Sequence, residues 1–392
     1  MSGFRANRSV VAVFVAKAVR TFCYGYLGIL LPLYLADLGL SARGIGVFVT
    51  ATLAGSAALT WAIRAPSERF GARAALLILA ALSAGSAVLL MTTRAPWLVV
   101  VAAMIGNVAV GAGETGPFLA IEQVVLTRAV AAARRTAVLS LYNLLGYGAA
   151  AAGAAAVTVG APPALFTGFL IGAIVQTLAY GALERTVVTT RRARVGTSTA
   201  SPIIRRIAAI FALDSFAGGF VLQSLIAYFL HVRYDMGLAE LGRVFFVAQV
   251  MSATSLLLAP RLARTFGLLP TMVVTHLVSN VFLIAIALAP TAAWAVALLY
   301  ARQLLSQIDL PTRQAWVMLV VPDHEREAAA TTTTLWRTSA QAVTPLITGW
   351  VMQALTPAMP FVLGGALKIV YDLLLWGAFR GLKPHEGEGP AT

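Results

Sequence analysis

The sequence alternates long apolar blocks with short polar turns, and this pattern restricts the chain to one class of fold. Each block runs for about 20–28 residues, the length that an α-helix needs to cross roughly 30 Å of hydrocarbon. Because a backbone amide inside hydrocarbon must find its partner within its own segment, the blocks are predicted to be helices. Twelve blocks meet this description, at 10–36, 45–66, 73–93, 97–126, 137–159, 162–183, 207–232, 238–260, 267–289, 291–320, 328–355 and 358–380.

The composition fits an integral membrane protein. Hydrophobic residues make up 59% of the chain and charged residues 11%, whereas soluble domains carry about 25% charged residues. The twelve blocks leave no stretch long enough for a water-soluble domain. The first block is too long for a signal peptide, so we predict that it is retained. The single cysteine, Cys23, lies inside that block and cannot form an intramolecular disulfide.

The net charge of +14 is distributed unevenly along the chain. If the N-terminus lies in the cytoplasm, about nineteen basic residues fall on the cytoplasmic side and four, Arg43, Arg94, Arg233 and Arg243, on the outer side. This asymmetry is typical of multi-pass proteins, whose Lys- and Arg-rich loops stay inside. We therefore predict a protein of the cell membrane with cytoplasmic N- and C-termini. Its basic loops would meet anionic membrane lipid, and a nucleic-acid partner is excluded.

A basic segment rich in Ser and Thr, residues 184–206, follows the sixth block and separates six blocks from the other six. The two halves repeat, because RTFCYGYLGILLPLY (20–34) overlays DSFAGGFVLQSLIAY (214–228) at an offset of 194 residues. The sequence therefore predicts an N-terminal six-helix bundle (1–183), a cytoplasmic central loop, and a C-terminal six-helix bundle with a short tail (207–392). In membrane proteins built from parallel repeats, the binding site lies at the repeat interface near the bilayer midplane.

The turn between the second and third blocks carries a distinct pattern, RAPSERFGARAAL. Glu68, Arg69, Gly71 and Arg73 supply an acid, a tight turn and two cations, which can latch neighbouring helix ends. The second half repeats the end of this pattern, with TFG (265–267) in place of RFG. Together with the six-plus-six layout and the basic central loop, this turn resembles the cytoplasmic signature of the major facilitator superfamily of secondary transporters.

The resemblance extends over the whole chain and implies the fold of that superfamily. That fold is the all-α fold of an integral membrane protein, with twelve transmembrane helices in two six-helix pseudo-repeats. The first helix of each repeat lines a central cavity. The resemblance also implies a small-molecule substrate that crosses the membrane by alternating access, without a cofactor. The superfamily's antiporter signature in the fifth helix is a Gly-Pro among glycines, and here Gly146, Gly148 and Gly153 occur without the proline.

Charged residues inside the blocks are the strongest functional candidates. Ionisable groups within a membrane face the protein interior or a water-filled cavity, and they pair with one another. The two signs are nearly balanced, which predicts pairing. The cations are Lys17, Arg20, Arg302, Arg313, Arg337 and Lys368, and the acids are Glu114, Glu122, Asp214, Asp309, Asp372 and, near a block end, Asp37.

Arg20 overlays Asp214 in the repeat, and two interpretations of these charges are open. In the first, Arg20 is a cavity cation with Asp214 on the opposite wall, which makes Arg20 essential for transport and dispensable for folding. In the second, each residue pairs within its own half, Arg20 with Glu114 or Glu122. A close partner reduces the cost of burying a charge more than a distant one. Lys17 lies nearer the cytoplasmic end, and we expect its side chain to extend to the interface.

A second pair of opposite charges, Glu122 and Arg313, occupies equivalent positions in the fourth and tenth blocks. We predict that the two residues form a bridge that closes the cytoplasmic side when the site opens outward. The alternative is two independent charges near the surface, which contribute little.

The fourth and tenth blocks also contain residues that interrupt helices. GAGETGPFLAIEQ (111–123) surrounds Glu114 with glycines and a proline, and ARQLLSQIDLPTRQAW (301–316) combines Asp309 with a proline. Broken helices with an acid at the break are typical of transporter sites, and a kinked helix with a structurally paired acid is the alternative. The complete set of predicted substrate and coupling residues is Arg20, Tyr24, Glu114, Asn143, Asp214, Gln223, Arg302, Asp309, Arg337 and Lys368.

The sequence contains no nucleotide-binding loop, metal-ligand cluster or nucleophile motif. We therefore predict no enzyme, no metal and no cofactor. The leading hypothesis is proton-coupled export of a small organic or metalloid compound by a monomeric transporter. Uptake of an anionic nutrient bound by Arg20 and Arg337 is the alternative, and a lipid flippase or a membrane scaffold is a third. Asp214 and Glu114 are the first candidates for the proton and Asp309 the next, because poorly solvated carboxyl groups exchange protons near neutral pH.

Overall fold

The computed structural model of the chain describes residues 8–111, 116–131, 134–184, 201–322 and 325–381, and helices account for nearly all of these ranges. The helices are α1 (Arg8–Asp37), α2 (Ala42–Ala62), α3 (Arg64–Thr92), α4 (Pro96–Ile105), α5 (Pro117–Ala129), α6 (Arg135–Ala156), α7 (Pro162–Gly181), α8 (Pro202–Gly219), α9 (Gln223–Tyr234), α10 (Leu238–Phe266), α11 (Leu268–Leu288), α12 (Ala292–Ser306), α13 (Asp309–Val320), α14 (Arg326–Ala354) and α15 (Met359–Phe379).

These helices form twelve membrane spans, because three spans each consist of two helices. The fourth span is α4 with α5, the seventh is α8 with α9, and the tenth is α12 with α13. In the described part of the chain, nine segments are long and apolar enough to cross a membrane unaided. The interrupted fourth and tenth spans and the threonine-rich α14 make up the twelve. The predicted all-α fold of twelve spans in two six-helix repeats is confirmed.

The two repeats make the same sharp turn at equivalent glycines. Gly71 lies at φ 86° and ψ 168° inside α3, where it separates a short first helix from the third span. Gly267 has φ 86° and ψ 162° between α10 and α11. Only glycine occupies this region of backbone conformation without strain, because a Cβ atom there meets the neighbouring peptide. The sequence match between RFG and TFG therefore corresponds to a shared backbone turn.

Alanine at either turn glycine is expected to destabilise the protein. Gly71→Ala and Gly267→Ala should each lower the free energy of unfolding by about 1–3 kcal/mol, the cost of forcing a side chain into this conformation. The measurement is unfolding of the purified protein in mixed micelles, followed by tryptophan fluorescence. Gly85→Ala is the matched control, because Gly85 is a helical residue of α3 with open space around it. Equal stability of all three variants would contradict the strain.

The first compact unit contains the described residues up to 184 together with Leu222–Val250. Helix α1 lies at its centre and packs against α6, α7 and α9. The backbones of α1 and α6 touch, because a Cβ at Gly25 would overlap the carbonyl of Ala150 and a Cβ at Gly153 would overlap the carbonyl of Phe22. Small residues at helix contacts allow this close approach in membranes.

The second compact unit contains the described residues from 201 to Val221 and from Met251 onward. Helix α8 packs against α14 and α15, and α11 packs against α12, α13 and α15. Gly219 allows α8 to approach α14 closely, because a Cβ there would contact the side chain of Thr344. The apolar core of this unit includes Phe211, Met272 and Leu375.

Helix α9 and the first part of α10 belong to the second half by sequence and to the first unit by contact. The hydroxyl of Ser224 donates to the carbonyl oxygen of Gly28 at 2.8 Å, and the backbone amide of Ser224 donates to the carbonyl of Val110 at 3.1 Å. Gly242 lies against α6, where a Cβ would be 2.8 Å from the carbonyl oxygen of Ala154. Domain boundaries at 183 and 207 stay a prediction.

Candidate functional site

Most of the intramembrane charges that the structure describes form two clusters, one in each unit. In the first unit, Arg20 of α1 and Glu122 of α5 make a bidentate ion pair. Guanidinium nitrogen Nη1 donates to Oε1 at 3.0 Å and Nη2 donates to Oε2 at 2.6 Å. Both side chains have 0% solvent exposure. Arginine holds a carboxylate well in this two-point geometry, which offsets the cost of removing both charges from water.

Aromatic side chains from three further positions complete this first cluster. The hydroxyl of Tyr180 donates to Glu122 Oε1 at 2.6 Å and accepts from Arg20 Nη1 at 2.6 Å. The hydroxyl of Tyr142 donates to Glu122 Oε2 at 2.5 Å. The guanidinium carbon of Arg20 lies 4.4 Å from the ring centroid of Phe118, a cation–π contact. Helices α1, α5, α6 and α7 therefore meet at one neutral, hydrogen-bonded centre.

The first cluster corrects two expectations. Arg20 does not face a water-filled cavity in this structure, because its side chain is fully buried against Glu122. The structure agrees with the second interpretation of Arg20, in which it pairs within its own half of the chain. Its partner is Glu122. Lys17 does not extend to the interface, because it is buried with its Nζ atom 4.5 Å from the ring centroid of Tyr142. The ring of Tyr142 stabilises the buried ammonium group by a cation–π contact.

The hydroxyls of Tyr142 and Tyr180 are expected to support this centre in proportion to the bonds that they make. Tyr180→Phe should lower the free energy of unfolding by about 1.5–3 kcal/mol, because it removes a hydrogen bond to a charged group on each side. Tyr142→Phe removes one such bond and should cost less. Unfolding in mixed micelles measures the free energy of unfolding of both variants, and Tyr34→Phe on α1 is the control. The prediction is wrong if Tyr180→Phe matches that control.

In the second unit, Asp214 of α8 binds two cations. Lys368 Nζ, on α15, lies 2.6 Å from Oδ1, and Arg313 Nη1, on α13, lies 2.9 Å from Oδ2. Arg313 also approaches Asp309, one helical turn earlier, at 3.5 Å. All four side chains are buried. Three helices thus bring two acids and two cations together inside the hydrophobic part of the unit.

A histidine that sequence analysis did not select joins the same cluster. The Nδ1 atom of His276, on α11, lies 2.8 Å from Asp372 Oδ1, and its Nε2 atom lies 3.6 Å from Asp214 Oδ1. The side-chain amide of Asn280 donates to Asp372 Oδ2 at 3.1 Å. The spacing offers a signal in retrospect. His276 and Asn280 are four residues apart on α11, as Lys368 and Asp372 are on α15, so each pair shares one helix face.

The predicted partners Glu122 and Arg313 are paired elsewhere. Glu122 binds Arg20 in the first unit, and Arg313 binds Asp214 in the second. Neither is a surface charge, since both side chains are buried. In this structure each of the two residues of the predicted cytoplasmic bridge therefore binds another partner. A buried charge is stabilised by the nearest opposite charge in its own bundle.

Two predicted arginines of the second unit bond to neutral side chains. Arg337 Nε, on α14, donates to Ser215 Oγ at 2.9 Å, and Arg302 Nη1, on α12, donates to Gln303 Oε1 at 2.7 Å. The Nε atom of Arg302 is buried and has no hydrogen-bond partner in the part of the chain that the structure describes. Both residues are half-buried, whereas Arg313 is buried between two carboxylates. They are available to an anionic group more readily than Arg313 is.

The other candidate residues are spread over the first unit. The hydroxyl of Tyr24 donates to the carbonyl of Gly106 at 3.1 Å, where α4 ends, and the side-chain oxygen of Gln223 accepts from Gln249 at 2.8 Å. Both side chains are buried, whereas Asn143 is exposed on α6. Glu114 lies outside the described residues. These positions stay predictions as substrate contacts.

The signature turn has the expected glycine and exposed charges. Glu68 and Arg69 are exposed and Arg73 is half-buried, on either side of Gly71. The guanidinium carbon of Arg69 lies 5.3 Å from the ring centroid of Phe70. A role of this turn as a latch between helices stays a prediction.

An apolar cavity of about 260 Å³ lies apart from both charge clusters. It belongs to the second unit, and Leu268, Trp316, Trp376, Phe379 and Arg380 are among its lining residues. None of the predicted substrate or coupling residues lines it. The charge clusters, rather than this cavity, are therefore the candidate functional site.

A family model described as Major Facilitator Superfamily matches residues 13–306. The chain belongs to the Major Facilitator Superfamily. The match covers all six spans of the first half and runs to the end of α12 in the second. A curated relative is the uncharacterized membrane protein YJR124C of Saccharomyces cerevisiae, which is 22% identical over 96% of this chain and 95% of its own length.

Solved structures of other superfamily transporters share the fold. The nucleoside transporter NupG, as its D323A mutant, aligns with a TM-score of 0.77 and 12% identity, over 95% of this chain and all of that one. A D-xylose-proton symporter aligns with a TM-score of 0.72 and 15% identity, over 94% of this chain and 97% of its own. The human organic anion transporter MFSD10 aligns with a TM-score of 0.65 and 15% identity, over 94% of this chain and 99% of that one. This superfamily member is therefore a multi-pass membrane transporter and not an enzyme.

Proposed function

We propose that this superfamily member is a proton-coupled secondary transporter of a small solute and works by alternating access. One observation carries the proposal: three aspartates, a histidine and two paired cations are buried together inside the spans of the second unit. Ionisable groups within a membrane are costly to bury, and they mark substrate and ion pathways. Asp214 stands at the centre of this network.

The interrupted spans support a transport site. Transporters of this architecture bind substrate where helices are discontinuous near the bilayer midplane, because free backbone groups there can contact the solute. The fourth and tenth spans, which are equivalent in the repeat, are both broken, and Asp309 begins α13 immediately after the second break. The acid therefore lies where the helix is discontinuous.

The seventh span supports alternating access. It breaks at residues 220–222, between α8 and α9, and this is also where the first compact unit takes over from the second. Beyond the break, α9 packs against α1, and the hydroxyl of Ser224 donates to the carbonyl oxygen of Gly28. A break inside a span can act as a hinge, because the residues at the ends of the two helices absorb the change in backbone angles.

For direction and solute, we propose export of a small organic or metalloid compound, in line with the sequence hypothesis. We also propose that the protein acts as a monomer in the cell membrane, in contact with membrane lipid and with both termini cytoplasmic. The clustering of basic residues on one side of the predicted spans supports this orientation. A lipid flippase or a scaffold is the weaker proposal, because neither requires the paired charges of the second unit.

Uptake of an anionic solute is a second candidate, and one observation favours it. The intramembrane cations of the second unit, Arg302, Arg313, Arg337 and Lys368, outnumber its three aspartates. In the described contacts, Arg302 and Arg337 donate only to neutral side chains. A carboxylate or phosphate could accept two parallel hydrogen bonds from either of these guanidinium groups.

The two candidates are separated by a ligand screen. Purified protein is tested by thermal shift against nucleosides, pentoses, small carboxylates, phosphate esters and metalloid oxyanions. A specific ligand should raise the unfolding temperature, since saturation at 100 Kd stabilises the folded state by about 2.7 kcal/mol. Arg337→Gln should abolish a shift caused by an anion and leave a shift caused by a neutral solute. Arg243→Gln, an exposed arginine of α10, is the matched control.

Direction is then read from vesicles that contain the reconstituted protein and the ligand found in the screen. Export predicts that an inward-directed proton gradient drives the ligand out, and uptake predicts accumulation. A protein that binds none of the ligands and moves none of them across the vesicle membrane would contradict the proposed transport of a small solute.

A further inference from the structure

The pair formed by His276 and Asp372 differs from the other ion pairs of the second unit. Asp372 has 0% exposure, and the partners that the structure describes for its carboxylate are His276 and Asn280. Asp214, in contrast, is bound by a lysine and an arginine. Lysine and arginine keep their charge at neutral pH, whereas histidine is the side chain that gains and loses a proton between about pH 5 and 8. The counter-charge of Asp372 is therefore the one that can change.

The surroundings of His276 contain both signs of charge. Asp214 faces Nε2 from α8, and Asp372 and Lys368 approach from α15. From α13 come Arg313 and Asp309, which are linked to His276 through Asp214. From α12, the backbone carbonyl of Arg302 accepts a hydrogen bond from Ser279, three residues after His276. The ring of Tyr371 packs edge-on at 5.6 Å between centroids.

Each ring nitrogen of His276 faces a carboxylate, and Nδ1 also lies 3.2 Å from the side-chain amide nitrogen of Asn280. A neutral imidazole has one N–H donor and one nitrogen lone pair. Here a carboxylate lies near each ring nitrogen, at 2.8 Å and 3.6 Å. A lone pair that faces either carboxylate is repelled, whereas an imidazolium donates toward both. Loss of the proton leaves Asp372 buried with neutral donors, which is costly in the membrane interior.

We propose that His276 and Asp372 together form the binding site of the coupling proton. This inference rests on the proposed proton-coupled transport and specifies where the proton is held. The lone pair of an imidazole nitrogen accepts a proton from water, which gives an imidazolium between Asp372 and Asp214. The same N–H bond breaks when the proton returns to water on the other side. Each transfer exchanges one N–H bond of the ring for one O–H bond of water or hydronium, and no electron is transferred.

Release of the proton also weakens the link between the helices. The imidazolium joins α11 to α8 through Asp214 and to α15 through Asp372, and the neutral ring joins only one of them by an N–H donor. The ion-pair partners that Asp214 then keeps in the described structure are Lys368 and Arg313. This site replaces Asp214, Glu114 and Asp309 as the first candidate for the proton, because Asp214 would have to displace a bound cation to accept one.

The experiment uses a variant in which the charge cluster is intact. His231→Gln, His324→Gln and His385→Gln leave His276 as the single histidine of the full-length protein. Solid-state NMR of this protein in lipid vesicles, with ¹⁵N-labelled histidine, reports the state of both ring nitrogens. Spectra are recorded over the pH range in which the protein stays folded, and we expect a change from imidazolium to neutral imidazole as the pH rises. Addition of Asp372→Asn should remove the Nδ1–carboxylate hydrogen-bond signal and shift the titration midpoint.

Two results overturn the site: a His276 that keeps one protonation state over this range, or a titration that Asp372→Asn does not affect. If Asp372→Asn fails to fold, Asn280→Ala keeps both titrating groups, removes one donor to Asp372, and should also shift the midpoint. Proton movement in vesicles with a non-titrating His276 overturns the site and leaves the transport proposal. A titrating His276 without proton movement supports the site as a proton-binding pair and contradicts coupled transport.

Discussion

Replacement of Arg20 by leucine is expected to destabilise the protein by about 3–5 kcal/mol, because it removes the two-point partner of the buried Glu122 carboxylate. The two tyrosine hydroxyls that remain cannot neutralise the charge. The double variant Arg20→Leu with Glu122→Leu should recover most of the loss, since two apolar side chains of similar volume can replace a buried ion pair at little cost. Unfolding in mixed micelles gives all three free energies.

Arg94→Leu is the control for this experiment, because Arg94 is exposed after α3 and its replacement should change little. The sequence interpretation of Arg20 as a cavity cation makes the opposite prediction. There Arg20→Leu folds normally and loses only transport. Unchanged stability of the single variant would contradict the structural role that the ion pair implies.

Asp214→Asn is expected to have the second large effect, because it removes the carboxylate from two buried cations at once. Lys368 and Arg313 would then repel each other across a neutral amide, and the loss of stability should again be about 3–5 kcal/mol. Transport should fall to background. The double variant Asp214→Asn with Lys368→Met also removes one of the two cations that would repel each other. It should therefore recover stability while transport stays low.

Asp235→Asn is the matched control for Asp214→Asn. Asp235 is exposed and has φ 54° at the end of α9, a conformation that asparagine also adopts readily. Its amide variant should therefore keep both stability and transport. Full transport by Asp214→Asn would remove Asp214 from the mechanism, whatever its effect on stability.

Much of the fold could be predicted from the sequence, because the bilayer imposes simple rules. Apolar length specifies the twelve spans. Equivalent glycines in the RFG and TFG motifs specify the repeated turn at Gly71 and Gly267. Glycines and a proline in the fourth block, and a proline in the tenth, indicated their interruptions. The break between α8 and α9 was not predicted, since no proline marks residues 220–222.

The candidate site was harder to predict, because pairing depends on how each helix is rotated and which helix lies beside it. Repeat alignment placed Arg20 opposite Asp214 and Glu122 opposite Arg313, and each charge instead binds a neighbour in its own bundle. An isolated histidine in an apolar helix gives no signal by itself. His276 gains its meaning from Asp372, which is 96 residues away in sequence.

Proton-driven flux in reconstituted vesicles is the most direct test of the central claim. Vesicles that contain the protein, a ligand from the thermal-shift screen and a pH-reporting dye are placed under an imposed pH gradient. The account predicts that ligand flux follows the gradient, that the dye reports proton movement with the ligand, and that Asp214→Asn abolishes both. Ligand flux that ignores the gradient, with no dye response in the unmodified protein, would contradict proton coupling and favour sodium coupling or facilitated diffusion.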